Sequence, residues 1–181
     1  QIRQGAALRS DRFGVDSSCF DNDSGRVNAA IRWLTETSTT LHTPWTLTVN
    51  LNYPHFPHYV TQEMWDAYPQ GEDLPEHGME AESAAHPRAE DIRAHFELSG
   101  FTEAQVRGQR RGYLGCVTFI DQQLGRLIQT LKICGQFENT NVIYTSDHGE
   151  MLGKFGMWWK CSLYEDAARI PCIAAGPDYS S

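Results

Sequence analysis

Between about Thr102 and Cys134, apolar residues recur at steps of three and four: Tyr113, Cys116, Val117, Ile120, Leu124, Leu127, Ile128 and Leu131. That spacing predicts one long amphipathic helix with a single apolar stripe. Thr102 and Gln105 are spaced as a capping box at its start, and Gly135 stands where a C-terminal cap belongs. Such a stripe has to be covered by another layer. Residues 45–51 (WTLTVNL), 141–145 (NVIYT) and 170–174 (IPCIA) are apolar and largely β-branched, and predict strands. Val27, Ala30, Ile31 and Leu34 predict a second helix over 25–37, capped by Asp23 or Ser24, and residues 88–98 predict a weaker one. Strand, helix and strand in alternation predict an α/β fold, a mostly parallel sheet flanked by helices.

The remaining segments read as connections. Residues 1–24 are polar and without period, an irregular N-terminal segment, so the folded part is expected over 25–181. Residues 70–87 read as an acidic surface loop, with Glu72, Asp73, Glu76, Glu80 and Glu82 and no basic partner. The 181 residues are 40% hydrophobic and 11% aromatic, enough to bury a core, and the net charge of −8 argues against a non-specific nucleic-acid binder. No uncharged apolar run approaches the ~20 residues that span a bilayer, so no membrane partner is expected. The five cysteines (Cys19, Cys116, Cys134, Cys161, Cys172) are odd in number, irregular in spacing and without a C-x-x-C pair. They argue against a disulfide framework or zinc site and favour a reducing, cytoplasmic compartment. A periplasmic or secreted location stays open, because any signal peptide would precede Gln1.

Three places carry chemistry. Asp147-His148-Gly149 follows a predicted strand directly, where open α/β sheets bind ligands. A carboxylate beside an imidazole offers oxygen and nitrogen to a divalent cation, and Gly149 lets the backbone turn and approach the ion. A polar turn with a surface histidine is an equal reading of the tripeptide alone. His55, with His58 nearby, sits in a turn stiffened by Pro54 and Pro57, which either aims an imidazole at a substrate or merely exposes two histidines. Lys160 follows Trp158 and Trp159 and is one of only three lysines. It either sets a compact charge near an anionic ester or snorkels over the two rings. Arg107, Arg110 and Arg111 read as a solvated face. Ser146, Asp147 and His148 are adjacent in sequence and so cannot converge as a hydrolase triad.

Together these stretches resemble the sulfatase family of the alkaline phosphatase superfamily. Residues 141–153 (NVIYTSDHGEMLG), continuing through Lys160–Glu165 and Ala168–Pro171, resemble its metal-binding strand and loop. Residues 50–58 (NLNYPHFPH) resemble its strand and P-H-x-P turn, and Phe119, Asp121 and Gly125 resemble its F-x-D-x-x-x-G helix. The D-H-G-E form with the following lysine is most similar to choline-sulfatase-like enzymes and phosphonate monoester hydrolases. The resemblance implies that Asp147 and His148 ligate a divalent metal, calcium ahead of manganese or magnesium. It implies that His55 and Lys160 contact the sulfate and leaving-group oxygens of a small-molecule sulfate ester. Lys154 and Trp159 depart from the pattern, which often has an acidic residue and a glycine at those places.

The family's C-x-P-S-R or S-x-P-S-R, whose first residue becomes a formylglycine nucleophile, is not among these residues: no cysteine has proline two positions on. With Gln1 in place of Met, the chain reads as an internal fragment, inactive alone, of a metal-dependent sulfatase. A phosphonate monoester or phosphodiester hydrolase on the same scaffold and a non-catalytic binding domain are the alternatives. A piece cut from a larger sheet is also expected to self-associate through its exposed edges.

Overall fold

The computed structural model describes residues 9–68, 74–81 and 85–179. Its elements run β1 (Phe13–Val15), α1 (Asp21–Glu36), β2 (His58–Val60), α2 (Gln62–Asp66), α3 (Pro87–Phe96), α4 (Glu103–Ile133), β3 (Val142–Thr145), α5 (Glu165–Ala168) and β4 (Cys172–Ala175). Helices and strands alternate as an α/β fold. None of these helices is long and apolar enough to cross a membrane.

The spine is α4. Its capping box forms in both directions, Thr102 accepting from the Gln105 N–H and Gln105 from the Thr102 N–H. It ends in a left-handed Gly135 (φ 68°), whose N–H reaches the Lys132 carbonyl while Gln136 reaches Leu131. The buried face differs from the predicted stripe in one respect. Cys116, Phe119, Ile120 and Leu131 are buried, but Val117 is 42% exposed. The N-terminal half of the face is instead glycine: Gly108, Gly112 and Gly115. A methyl on Gly108 would strike the Phe13 ring, one on Gly112 the His58 carbonyl oxygen, and one on Gly115 would lie 2.9 Å from Val60 Cγ1. The glycine stripe lets a sheet backbone rest directly on the helix.

That backbone belongs to β1 and β2, which pair in parallel with Phe13 opposite His58 and Val15 opposite Val60. β1 lies inside the segment expected to be irregular, and α1 starts at Asp21, before the expected Gly25. Neither Asp23 nor Ser24 caps α1; the N-cap is Phe20, without a side-chain bond. Asp23 is 1% exposed, and its Oδ2 reaches beyond its own helix to the N–H groups of Asn52 and Tyr53. Val27, Ala30 and Leu34 bury α1, and Arg126 on α4 bonds Asn28. Phe20 stacks on Phe119, with Tyr53 edge-on to both rings. Burial of side chains like these contributes about 1.5–3 kcal/mol each.

Residues 45–51 alternate half-buried and exposed positions as a strand would, but no strand among the described residues pairs with them. β3 and β4 do form, as an antiparallel ribbon with Val142 opposite Ala175 and Thr145 opposite Cys172. A second core gathers Ile92, Phe96, Met151, Met157, Trp158 and Trp159. In the acidic loop, Glu72, Asp73 and Glu82 lie outside the described residues; Glu76 stands 3.9 Å from His77, whose ring stacks on Phe155. The arginine group on α4 is not a solvated face. Arg111 is 8% exposed, stacks over Trp65 and donates to its carbonyl, and Arg110 donates to the Leu152 carbonyl.

His58 is buried rather than exposed, at 1%. The Gln109 amide donates to the Arg9 and Ser10 carbonyls, so its oxygen faces His58 Nδ1 at 2.7 Å and His58 donates. Burial lowers the His58 pKa to about 4, against the Gln109 bond that raises it. Below pH ~6.5 the unfolded chain takes up a proton that the folded chain refuses until about pH 4. His58 therefore costs no stability above that window and lowers stability as pH falls through it. Thermal unfolding between pH 7.5 and 4.5 should show this decline, and His58→Asn, which keeps a donor to Gln109, should flatten it; equal slopes would assign the decline to other groups. The glycine stripe makes a second prediction. By denaturant unfolding, Gly112→Ala should lose about 1–3 kcal/mol to overpacking, whereas Gly125→Ala, with open space around it, should gain up to about 1 kcal/mol.

Candidate active site

The Pro-rich turn leaves residues 45–51 and enters β2, and its Tyr53–Pro54 and Phe56–Pro57 bonds are cis. Its first turn closes where the His55 N–H donates to the Asn52 carbonyl, 3.0 Å. His55 Nδ1 lies 2.7 Å from the Phe56 carbonyl, which assigns the ring hydrogen to Nδ1. Nε2 is left as an acceptor, and Lys160 Nζ stands 2.5 Å from it. His55 is exposed overall, yet its ring is desolvated enough to lower its pKa; Lys160 adds to the shift and the Phe56 carbonyl opposes it. Both influences keep the imidazole neutral near pH 7.

Beyond β3 the chain turns through Ser146, Asp147 and His148. The Ser146 hydroxyl donates to the His148 carbonyl, not to an imidazole, so no serine triad forms. His148 repeats the arrangement of His55: Nδ1 is 2.9 Å from the Gly149 carbonyl, and Nε2 is left bare. Asp147 Oδ1 stands 3.7 Å from that nitrogen. The His55 and His148 rings lie edge-to-face, 5.9 Å between centroids. Gly149 serves a close approach different from the expected one. Its N–H bonds the Ala167 carbonyl, and a side chain there would strike the Asp166 carbonyl of α5.

Lys160 arrives on a folded loop. The Met151 N–H bonds the Trp159 carbonyl, and Glu150 Oε1 accepts the Trp159 N–H at 2.5 Å and the Leu152 N–H at 3.3 Å. Desolvation raises the Glu150 pKa, and those same N–H groups act to lower it. Trp159 occupies the left-handed region (φ 64°), which suits the glycine often found there in the resembled family and is uncommon for so large a residue. Its ring is buried against Phe96 and Phe56, with the Arg9 guanidinium 4.8 Å above it. Trp158 stacks on Phe101. The tryptophans are thus core, and Lys160 reaches His55 instead of snorkelling over them. Lys154 pairs with Asp166 at 2.8 Å.

The structure therefore brings His55, Asp147, His148 and Lys160 into one neighbourhood from three separate segments. Among the described residues, no group of three or more His, Cys, Asp and Glu side chains is placed to hold a metal ion. Asp147 and His148 nonetheless fit a divalent cation as two of its donors: with Nδ1–H committed to Gly149, two acceptors face each other at 3.7 Å. A cavity of about 360 Å³ lies along α3, lined by Arg88, Asp91, Ile92, His95, Phe96 and Cys161. Residue-type reasoning missed Asp23 and Glu150. Glu150 had a local signal, since it directly follows the Asp147-His148-Gly149 turn; Asp23 had none.

Comparison with known proteins identifies what the chain as a whole is similar to. A choline-sulfatase of Rhizobium meliloti is 36% identical over 137 residues, 74% of this chain and 27% of the relative. The multifunctional alkaline phosphatase superfamily protein PehA of Trinickia caryophylli is 33% identical over 145 residues, 72% of this chain and 28% of the relative. The chain thus spans little more than a quarter of the length of either relative. Among solved structures, a phosphonate monoester hydrolase of Agrobacterium radiobacter superposes with a TM-score of 0.72 at 27% identity, over 85% of this chain and 32% of that one. The sulfatase family profile matches residues 16–180, nearly the whole chain. By that match and the two relatives, this chain belongs to the sulfatase family of the alkaline phosphatase superfamily.

Proposed function

We propose that this chain supplies the cation-binding and leaving-group-binding part of a hydrolase acting on small-molecule sulfate esters. One observation carries the reading: His55 and Lys160, 105 positions apart in sequence, meet at 2.5 Å beside the Asp147–His148 pair. Similarity to a choline-sulfatase supports the ester class. The nucleophile, a formylglycine by family resemblance, is not among these 181 residues.

Asp147 and His148 would hold a divalent cation, calcium ahead of manganese or magnesium. When bound, it supplies Lewis-acid stabilisation of charge on the transferring group. The chain's own residues do the rest. The Lys160 ammonium, with one N–H on His55, has two more to give to ester oxygens, and a fixed charge in a partly dry site is worth more than one in water. As the nucleophile bonds to sulfur, the sulfur–oxygen bond of the ester breaks and its electron pair passes to the alcohol oxygen. That oxygen takes one of the two Lys160 protons not bonded to His55: an N–H bond breaks, an O–H bond forms, the alcohol departs neutral, and Lys160 is left as a neutral amine still hydrogen-bonded to His55. His55, neutral near pH 7, can accept that hydrogen bond without repelling the lysine.

A second reading, hydrolysis of phosphonate monoesters, is favoured by the likeness to the Agrobacterium enzyme. The two separate in a polypeptide that joins this chain to a nucleophile segment. There a matched aryl sulfate should be hydrolysed faster than an aryl phosphonate monoester; the reverse ratio would select the second reading. Lys160→Ala and His55→Ala should each lower kcat/KM about 10²–10³-fold, and unchanged kinetics would remove them from the site. The cation assignment is testable in this chain alone. Calcium should shift the His148 ring ¹⁵N resonances, with affinity at least about tenfold weaker in Asp147→Asn; a shift insensitive to that variant would place the cation elsewhere.

A further inference from the structure

We infer that Asp23 is the positioning residue of the His55 arm: its buried carboxylate fixes the peptide from which that arm departs and so sets the His55–Lys160 contact. The inference rests on the reading of His55 given above. Asp23 lies in the first turn of α1, where a capping role would be expected, yet its oxygens serve other groups. Oδ1 pairs with Arg26 at 2.5 Å. Oδ2 accepts two consecutive backbone N–H groups, Asn52 at 2.7 Å and Tyr53 at 2.9 Å, 29 and 30 positions along the chain. The Asn52 carbonyl in turn accepts the His55 N–H at 3.0 Å. An unbroken path of hydrogen bonds therefore runs from the carboxylate to the backbone of His55.

The chemistry of this contact is specific. A carboxylate that is 1% exposed is tolerated only when charge-assisted bonds replace its hydration, and Arg26 with the two amides does so. Two successive N–H groups on one oxygen fix the orientation of the intervening peptide as well as its position. The remaining supports of the arm agree. The Tyr53 ring packs edge-on against the stacked Phe20 and Phe119 rings, and at the far end His58 is buried against Gln109. His55 is the exposed residue between two anchored ends. The hydrogen bonds and ion pair of Asp23 go to Arg26, Asn52 and Tyr53 and not to the side chains of His55, Asp147, His148 or Lys160, so it acts through the backbone.

The test uses the whole 181-residue chain with ¹⁵N-labelled histidine at pH 7.5 and needs no substrate. A wrong ester assignment therefore leaves its outcome untouched. Lys160→Ala first defines how far the His55 Nε2 resonance moves when the lysine is gone. In Asp23→Ala, that resonance should move to the Lys160→Ala position, and amide exchange at Asn52, Tyr53 and His55 should quicken about tenfold or more, while exchange along α4 stays unchanged. Asp23→Asn keeps an acceptor oxygen and should retain the wild-type resonance. A folded Asp23→Ala chain with an unmoved His55 resonance would overturn the inference. So would an Asp23→Asn chain that moves as far as Asp23→Ala, because the charge on Arg26 would then be the operative feature. Should Asp23→Ala not fold, Asp23→Ser, with a shorter reach, takes its place under the same two outcomes.

Discussion

The contact on which the rest depends is a peptide resting on a helix. The His58 carbonyl sits so close to Gly112 that no side chain fits between them, with Gly108 and Gly115 one turn to either side. The tight approach puts the His58 ring beside Gln109, and Gln109 beside the Arg9 and Ser10 carbonyls. β1, β2 and α4 are thereby joined through backbone and amide groups as well as through apolar contact. Close-packed interiors transmit position rather than absorb it. The far end of the His55 arm therefore inherits its place from the glycine face of α4.

The candidate site is a meeting of arms with different supports. His55 extends from the glycine-packed sheet, Lys160 from a loop folded around Glu150, and Asp147 and His148 from the end of β3. Both site histidines are prepared alike, each giving its Nδ1 hydrogen to a neighbouring carbonyl and keeping Nε2 for the site. Local backbone chemistry thus sets both tautomers before any ligand is considered. Trp159 shows the cost of one such arm. A left-handed backbone costs a bulky residue about 1–2 kcal/mol, and burial of the indole against Phe56 and Phe96 offsets it.

Features written locally in the sequence were legible. The span of α4, its capping box and its glycine stop follow from contacts within a few residues, and β3 follows from a dense β-branched run. Of the four candidate site residues, His55, Asp147 and His148 were reachable because they sit in a stiffened turn or at a strand end, and Lys160 because it is one of three lysines and follows two tryptophans. What escaped depends on partners far along the chain. Arg111 is buried because Trp65, 46 positions away, covers it. Three residues of β1 carry no periodicity, and their pairing is supplied by β2. Residues 45–51 have the strand alternation but find no ladder among the described residues, since hydrogen-bond pairing is a property of neighbours and not of a segment. The glycines of α4 interrupt its apolar stripe, so a hydrophobic pattern alone overlooks the face that packs most tightly.

The β3–β4 ribbon differs from everything else that bears on the site. It has two strands of four residues, and Ile143 and Ile173 are 58% and 61% exposed upon it. Its inner face is tied to the rest of the molecule through Tyr144, which packs against the Phe20–Phe119 core. The neighbourhood of His55, Lys160, Asp147 and His148 therefore draws on two kinds of support, a sheet resting on the glycine face of α4 and a two-stranded ribbon covered on one side. One inward ring, Tyr144, thus links the strand that leads to Asp147 and His148 to the aromatic core beneath the His55 arm.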